Sequence, residues 1–557
     1  MMRVFILVVC AALIVLLGVA PAASQEGRGL VVINSNSYNY PIEDYIFPRL
    51  YRLHPATGVL EGAAPDNLAL VMDAQPTAEQ EQMIHLRDDL LWSDGTPVSA
   101  YDVLFGLLAG RGNVSAENVY LPRDSVTGVA VIDESTLTVR YVAPDCSNTA
   151  RANPYVIPVH VVVPGFIAFA QALSVERPGV ISVEEWAKAY DEAHLSEHSL
   201  GDDMYLPAGL RPAPAERGGE AGRLTNGDLA ILLVGTTSGM SLEEQFLSGT
   251  TNLLVNPDFD RRADLRTHND LQVYDAPGWS WDTLTFNFAD PTIPRSAYTT
   301  KGELLDQGHN PFFSDQRLRQ AVQLGIDVNA IIEVVYQGDA TPLAGTLPSN
   351  SWGYNPVLEP AAYDPGAAAR LLDEAGWVDT DGDGIRNCFR CTTAEVGTSL
   401  LLRFSVESSN SRGRVAEMIA LQLGRIGVGI TYADSNPTNQ RFDLYLGGYA
   451  YDSPYTLDPD QTALFTRAAD VVGAMGNIGS YYNPALENLL EQARTVPDCD
   501  INSRAALYRE AQTLLADDLP MFGLYVRHEM FVARGIQGFD PQPGNPFWNL
   551  LNWRVSS

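Results

Sequence analysis

The residues best suited to hold a small molecule lie in Gly447-Gly448-Tyr449-Ala450-Tyr451-Asp452-Ser453-Pro454, at the end of an apolar run that starts at Phe442. Glycines at a strand end let another backbone come close. Tyr449 and Tyr451 offer flat apolar surface, and the Asp452 carboxylate can hold an ammonium through a charge-assisted bond. An Asp before Ser-Pro also serves simply as a turn residue. A second acidic group, Asp379, Asp381 and Asp383 with Gly384, resembles the start of a calcium loop, but position 12 of such a loop is Arg390 rather than Glu. A solvated turn is the simpler reading. His194 and His198 are four apart in EEWAKAYDEAHLSEH, which places both rings on one helical face. No third ligand can be named for a metal there, and no metal or other cofactor is expected.

Motifs of covalent chemistry are missing. Gly235-Thr236-Thr237-Ser238-Gly239 is one residue off a nucleophile elbow. No phosphate-cradling or dinucleotide glycine pattern occurs. Paired carboxylates are abundant in so acidic a chain and discriminate nothing. A secreted hydrolase is therefore the weakest alternative, and the chain is read as a non-enzyme.

The N-terminus reads as a sorting signal. Met1-Met2-Arg3 is followed by the apolar run Val4–Val19 and the A-x-A site Ala20-Pro21-Ala22. At about 16 residues the run is marginal for a membrane span, so cleavage is favoured over a retained anchor. The mature chain is thus expected outside the cytoplasmic membrane, periplasmic or extracellular. Among 557 residues, 46% are hydrophobic and 19% charged, the balance of a globular protein with ample core. Removing residues 1–22 deletes only Arg3 and leaves 35 basic against 68 acidic side chains, a net charge of −33. Such a field repels nucleic acid and anionic lipid and mildly favours cationic ligands. Four cysteines remain after cleavage, and export favours disulfides over a reduced metal site. A local Cys388–Cys391 bridge is expected; the sequence does not say whether Cys146 and Cys499 meet.

Three helices can be marked between Asn310 and Asn387 from their ends. Ser314 is a candidate N-cap for the first and Asp327 for the second, which Gly338 stops; Asp364-Pro365 opens the third, which ends at Gly376. Elsewhere Tyr45–Leu53 and Arg412–Ile426 read as helices, and Thr283–Phe288, Leu400–Val406, Gly429–Tyr432, Phe442–Tyr449 and Met521–Val526 as strands.

This same stretch carries a resemblance. Asn310-Pro311-Phe312, Asp315, Arg317, Arg319-Gln320-Ala321 and Ile326-Asp327 are followed by Val335, Gly338, Ala340 and Pro342. Tyr363-Asp364-Pro365, Ala368, Leu371-Leu372, Ala375-Gly376-Trp377 and Asp379 to Gly384 complete the run. The ordered set resembles the extracellular solute-binding proteins of ABC importers, family 5, which handle oligopeptides, dipeptides and nickel complexes. Asp94-Gly95-Thr96-Pro97 with Ala100, Asp102 and Val103 resembles that family's best-known signature, to which a structural role is assigned. The likeness covers about residues 28–150 and 240–557; residues 204–223 depart from it.

The resemblance implies a two-lobed α/β fold of the class II periplasmic-binding-protein type with an accessory subdomain. Lobe I would comprise residues 28–52, 153–282 and 518–557, the accessory subdomain 53–152 and lobe II 283–517, with 1–22 as signal. It also implies capture of a peptide or similar small solute between the lobes, and delivery to the transmembrane subunits of an ABC permease by a monomer. A ligand-sensing protein that docks on a receptor is the alternative. In peptide-binding members an acidic residue at the place of Asp452 receives the ligand's amino terminus, and the backbone nearby pairs with the peptide. On this reading Gly448, Tyr449 and Tyr451 belong to the site, with Trp281 ahead of the lobe-crossing strand and Tyr38 after the first strand. Leu446 stands where members that bind longer peptides often carry a basic residue.

Overall fold

The computed structural model describes residues 29–34, 47–54, 56–64, 68–72, 79–109, 125–198, 211–213, 220–226, 229–234, 241–450, 458–542 and 547–555. Eleven strands among them form one sheet: β1 (Gly29–Asn34), β2 (Arg211–Ala213), β3 (Glu220–Asn226), β4 (Leu229–Val234), β5 (Leu253–Val255), β6 (Gln272–Phe286), β7 (Ala340–Pro342), β8 (Leu401–Val406), β9 (Gly429–Tyr432), β10 (Leu444–Ala450) and β11 (Met521–Ala533). Their order is β9-β8-β10-β6-β11-β5-β1-β4-β3-β2, with β7 on the free side of β11. The long antiparallel pair β6 and β11 joins the two ends of this sheet.

Each end has its own core. Leu284, Phe286, Leu402, Phe404, Leu444 and Phe522 bury against α1 (Gln316–Gly325), α2 (Val328–Tyr336), α3 (Pro365–Glu374) and α4 (Asn410–Gly424). Val31, Ile33, Ile231, Leu253, Phe531 and the C-terminal Trp553 form a second cluster at the other end. A separate four-stranded sheet of Glu81–His85, Val126–Asp133, Thr136–Tyr141 and Ile181–Ser182 carries a third, from Leu50 to Trp186. Residues 153–186, assigned to the first lobe on sequence, pack into this third core through Val156, Val159, Phe166 and Trp186.

The helix ends follow their caps. Asp327 accepts the Ala330 amide and Asp364 the Ala367 amide, and Pro365 fills the first turn. The first helix starts one residue later than its spacing suggests, because Asp315 takes the cap by accepting from the Arg317 amide, while the Ser314 hydroxyl donates to the Asn310 carbonyl. Gly376 has φ +85°, and a Cβ there would meet the Arg390 carbonyl carbon at 2.5 Å, so the turn after α3 requires glycine. Residues 47–53 are not helical; Arg52–Leu53 pairs with Leu60–Glu61, and Arg49 bridges to Tyr155. The helix near His194 ends there in a left-handed turn, φ 48°, so His194 and His198 do not share a helical face.

Two disulfides are present. Cys388–Cys391 is the expected local bridge. Cys146–Cys499 joins the third core's segment to the turn between α5 (Pro484–Arg494) and α6 (Ile501–Asp518), 353 residues away. The Cys146 amide donates to the Arg494 carbonyl at 2.8 Å, and Arg494 pairs with buried Asp145. A loop that long makes the bridge effective against the unfolded chain. The double change Cys146→Ser with Cys499→Ser should lower stability by about 3–5 kcal/mol in urea denaturation; an unchanged midpoint would contradict the role given to this bridge.

Candidate functional site

β10 begins on a fixed support. Asp443, fully buried, receives both Arg403 guanidinium bonds at 2.9 Å and the Asn310 amide at 2.9 Å. The other end of Asn310 accepts the Phe312 and Phe313 amides, which explains an Asn before Pro-Phe. Arg319 donates to the carbonyls of Phe313 and Asp518, tying α1 to the end of α6. These bonds fix where β10 points.

Three of the sequence-predicted residues, Trp281, Gly448 and Tyr449, lie on β10 and its neighbour β6. Trp281 faces Tyr449 and Asp282 faces Gly448 across the antiparallel ladder. Alternation puts each pair on its own face. The Trp281 and Tyr449 rings lie 6.4 Å apart, tilted by 33°. Trp281 is 4% exposed and packs with Leu53, Trp279, Leu343, Leu347 and Val526, so it belongs to a filled apolar cluster rather than an open wall. Tyr449 is half-buried at its edge, and burial pushes its phenol up to about 12. Tyr38, Tyr451 and Asp452 lie outside the described residues.

The other face is polar, and sequence reasoning missed it. Asp282, 1% exposed, accepts Arg412 Nη2 at 2.9 Å and Nε at 3.2 Å, and the Tyr525 hydroxyl at 2.8 Å. Tyr525 in turn meets the Tyr336 hydroxyl at 3.0 Å. Burial, with Asp282 alongside, pushes the Tyr525 phenol well above its usual range. Arg412, near the start of α4, also lies 3.2 Å from Glu407. Burial works against its charge, yet Asp282 and Glu407 outweigh that and hold its pKa up. A Cβ on Gly448 would fall 1.8 Å from Arg412 Nη2, so glycine makes room for the guanidinium. The only local signal was Asp282 itself, a charge inside the strand WSWDTLTF.

Other groups read from the sequence are elsewhere. Asp379, Asp381 and Asp383 meet at the surface, with Asp379 accepting the Gly382 and Gly384 amides of its own turn. Asp275, Asp339 and His528 also converge, but the Arg266 guanidinium pairs with both carboxylates and occupies the place of a cation. A cavity of about 280 Å³ lies away from β10, between Val328, Pro342, Tyr363 and Phe522. Asp102, in the D-G-T-P segment, is buried and accepts the Ser99 and Val159 amides, a structural role as the resemblance implies.

Residues 235–468 match the model for bacterial extracellular solute-binding proteins, family 5. That segment, under half of the chain, is similar to the family 5 solute-binding proteins. It is 25% identical to the oligopeptide-binding protein AppA of Bacillus subtilis over 259 residues, 44% of this chain and 45% of that protein. It is 29% identical to the dipeptide-binding protein of Escherichia coli over 254 residues, 42% of each. The aligned part thus spans under half the length of either relative. The structure of Bacillus subtilis AppA with a nonapeptide superposes with a TM-score of 0.62 at 18% identity, covering 95% of this chain and 99% of that one. The fold is therefore the two-lobed α/β architecture of periplasmic binding proteins. Among the described residues no helix is long and apolar enough to cross a membrane.

The buried pair sets a measurable cost. Arg412→Ala leaves the Asp282 carboxylate buried without a cation, and should destabilise the protein by about 3–5 kcal/mol. Pairing Asp282→Asn with Arg412→Met should recover much of that loss in urea denaturation. Additive losses in the double variant would show that the two side chains do not act as a pair.

Proposed function

We propose that this chain acts as a family 5 solute-binding protein and captures a peptide or a similar small, preferentially cationic solute outside the cytoplasmic membrane. It hands the solute to the transmembrane subunits of an ABC permease and makes no covalent change to it. The observation that carries this reading is the end of β10. On its β8 side the ladder stops at Val406 opposite Leu446, while β10 runs on to Ala450. A strand edge with no neighbouring strand at its tip, beside an aromatic pair and with a carboxylate two residues further along the sequence, suits an extended backbone with a free ammonium. Asp452 is the residue assigned to that ammonium. Tyr449 and Tyr451 supply flanking surface, and Gly448 gives the backbone access. Tyr38, after the first strand, is assigned to the ligand-binding set, and Trp281 packs beside Tyr449.

The relatives support the ligand class, since two bear the names oligopeptide-binding and dipeptide-binding protein. The high negative charge favours cationic guests over anionic ones. Export of a monomer after loss of residues 1–22 fits this role. Lobe I would hold β1 to β5 and the C-terminus, lobe II the segment 283–517, and the accessory unit the four-stranded sheet, with β6 and β11 crossing between the lobes.

A thermal-shift screen of di- and tripeptides, amino-sugar compounds and nickel chelates tests the reading, with titration calorimetry on the hits. A peptide present at 100 times its Kd adds about 2.7 kcal/mol of apparent stability. Asp452→Ala should weaken a peptide hit by tenfold or more while the unliganded Tm stays put. A screen in which no peptide raises the Tm, or undiminished binding by Asp452→Ala, would overturn the ligand class or the site respectively.

A further inference from the structure

The tip of β10 is not bare. Beyond Leu446 the next backbone group facing the β8 side is the Gly448 amide, and the Glu407 side chain takes it, Oε2 accepting at 2.8 Å. Glu407 directly follows the last residue of β8, and its own amide donates to the Leu446 carbonyl at 2.9 Å. The main chain of Glu407 thus makes the last ladder bond, and its side chain stands in for the next residue of a neighbouring strand. Its other oxygen, Oε1, lies 3.2 Å from Arg412 Nη1. Arg412 is anchored by buried Asp282, so Glu407 is held by a fixed cation on one side and a fixed amide on the other. Its side chain is nevertheless 43% exposed, unlike the 1% of Asp282.

We infer that Glu407 is a selectivity residue that occupies the Gly448 amide and makes neutral backbones compete for it. This rests on the reading of β10 as the ligand-pairing strand. An incoming peptide that pairs along β10 brings a carbonyl to the same amide, because residues alternate and Gly448 is the first one past the Glu407 ladder bond. The carboxylate must then swing away, leaving Arg412 with Asp282 alone and Glu407 without either partner. A peptide without a basic side chain, whose amino terminus is assigned to Asp452, returns nothing to the displaced carboxylate. A peptide carrying an ammonium or guanidinium within reach gives it a new charged partner, so the same displacement costs less. Glu407 therefore favours lysine- and arginine-containing peptides over their neutral counterparts. Its half-exposed position lets it move without opening the core, which Asp282 could not do.

The test compares tri-alanine with the three tripeptides that carry one lysine and two alanines, by calorimetry on the wild-type protein and on Glu407→Gln and Glu407→Ala. In the wild type at least one lysine peptide should bind tenfold or more tighter than tri-alanine. Glu407→Gln keeps an acceptor for the Gly448 amide and loses the charge, so the lysine preference should shrink to within about threefold. Glu407→Ala frees the amide, and tri-alanine should bind more tightly than it does to the wild type. Tm values of the unliganded variants separate folding effects from selectivity, since a merely structural role would weaken all four peptides alike. An unaltered lysine-to-alanine ratio in both variants overturns the inference while leaving the peptide-binding reading intact. Failure of the wild type to bind any of the four and of the wider peptide screen removes that reading, and the inference with it.

Discussion

The pairing of β6 with β11 is the constraint on which the rest depends. The two strands run antiparallel from Gln272 opposite Ala533 to Thr285 opposite Met521, and their two ends bury in different cores. Breaking this ladder would strand backbone groups inside both cores, so the halves are bound to the same pair of strands. The ladder is irregular at two places close together, between Pro277 and Trp281 and between Asp282 and Thr283. At the first, Pro277 pairs with His528 and Trp281 with Val526, so β6 spends two more residues there than β11. Such a bulge bends a sheet and redirects side chains. Trp279, Trp281 and Asp282 emerge at or just past it, beside the tip of β10. Site and irregularity therefore share an address.

The accessory sheet adds a second connection between distant parts of the chain. It is inserted between β1 and the β2–β4 end of the main sheet, yet Cys146–Cys499 and the Arg494–Asp145 pair fasten it to α5 and α6. Leu53 and Leu60, near its entry, lie against Trp279, Trp281, Leu343 and Leu347. Any rearrangement of the halves about β6 and β11 must respect that bridge. The apolar cluster beneath Tyr449 is consequently clamped from the accessory side and from the crossing strands together.

Much of the fold was legible because helix caps are local. Asp327 and Asp364 act within three residues, so the sequence alone located α2 and α3. Ser314 misled by one position because Asp315 beside it is an equally good acceptor. Segment 47–53 misled more, since Leu50, Tyr51 and Leu53 have helical spacing but are fixed by partners such as Asn153, about a hundred residues on. Only the last part of β6, Thr283–Phe286, was read as a strand, because the pairing that extends it back to Gln272 is with β11, far along the chain. The polar face of the site was illegible for the same reason. Arg412 lies 130 residues from Asp282 and Tyr525 lies 243, and nothing within ten residues of any of them announces the others.

Hydrogen–deuterium exchange with and without a saturating mixture of tripeptides tests the central claim, that the guest lies against the tip of β10 beside the bulge. Slowed exchange in residues 447–457 and 277–283, with the cores unchanged, is the result this account predicts. Protection confined to the cavity around Val328, Tyr363 and Phe522 would contradict it.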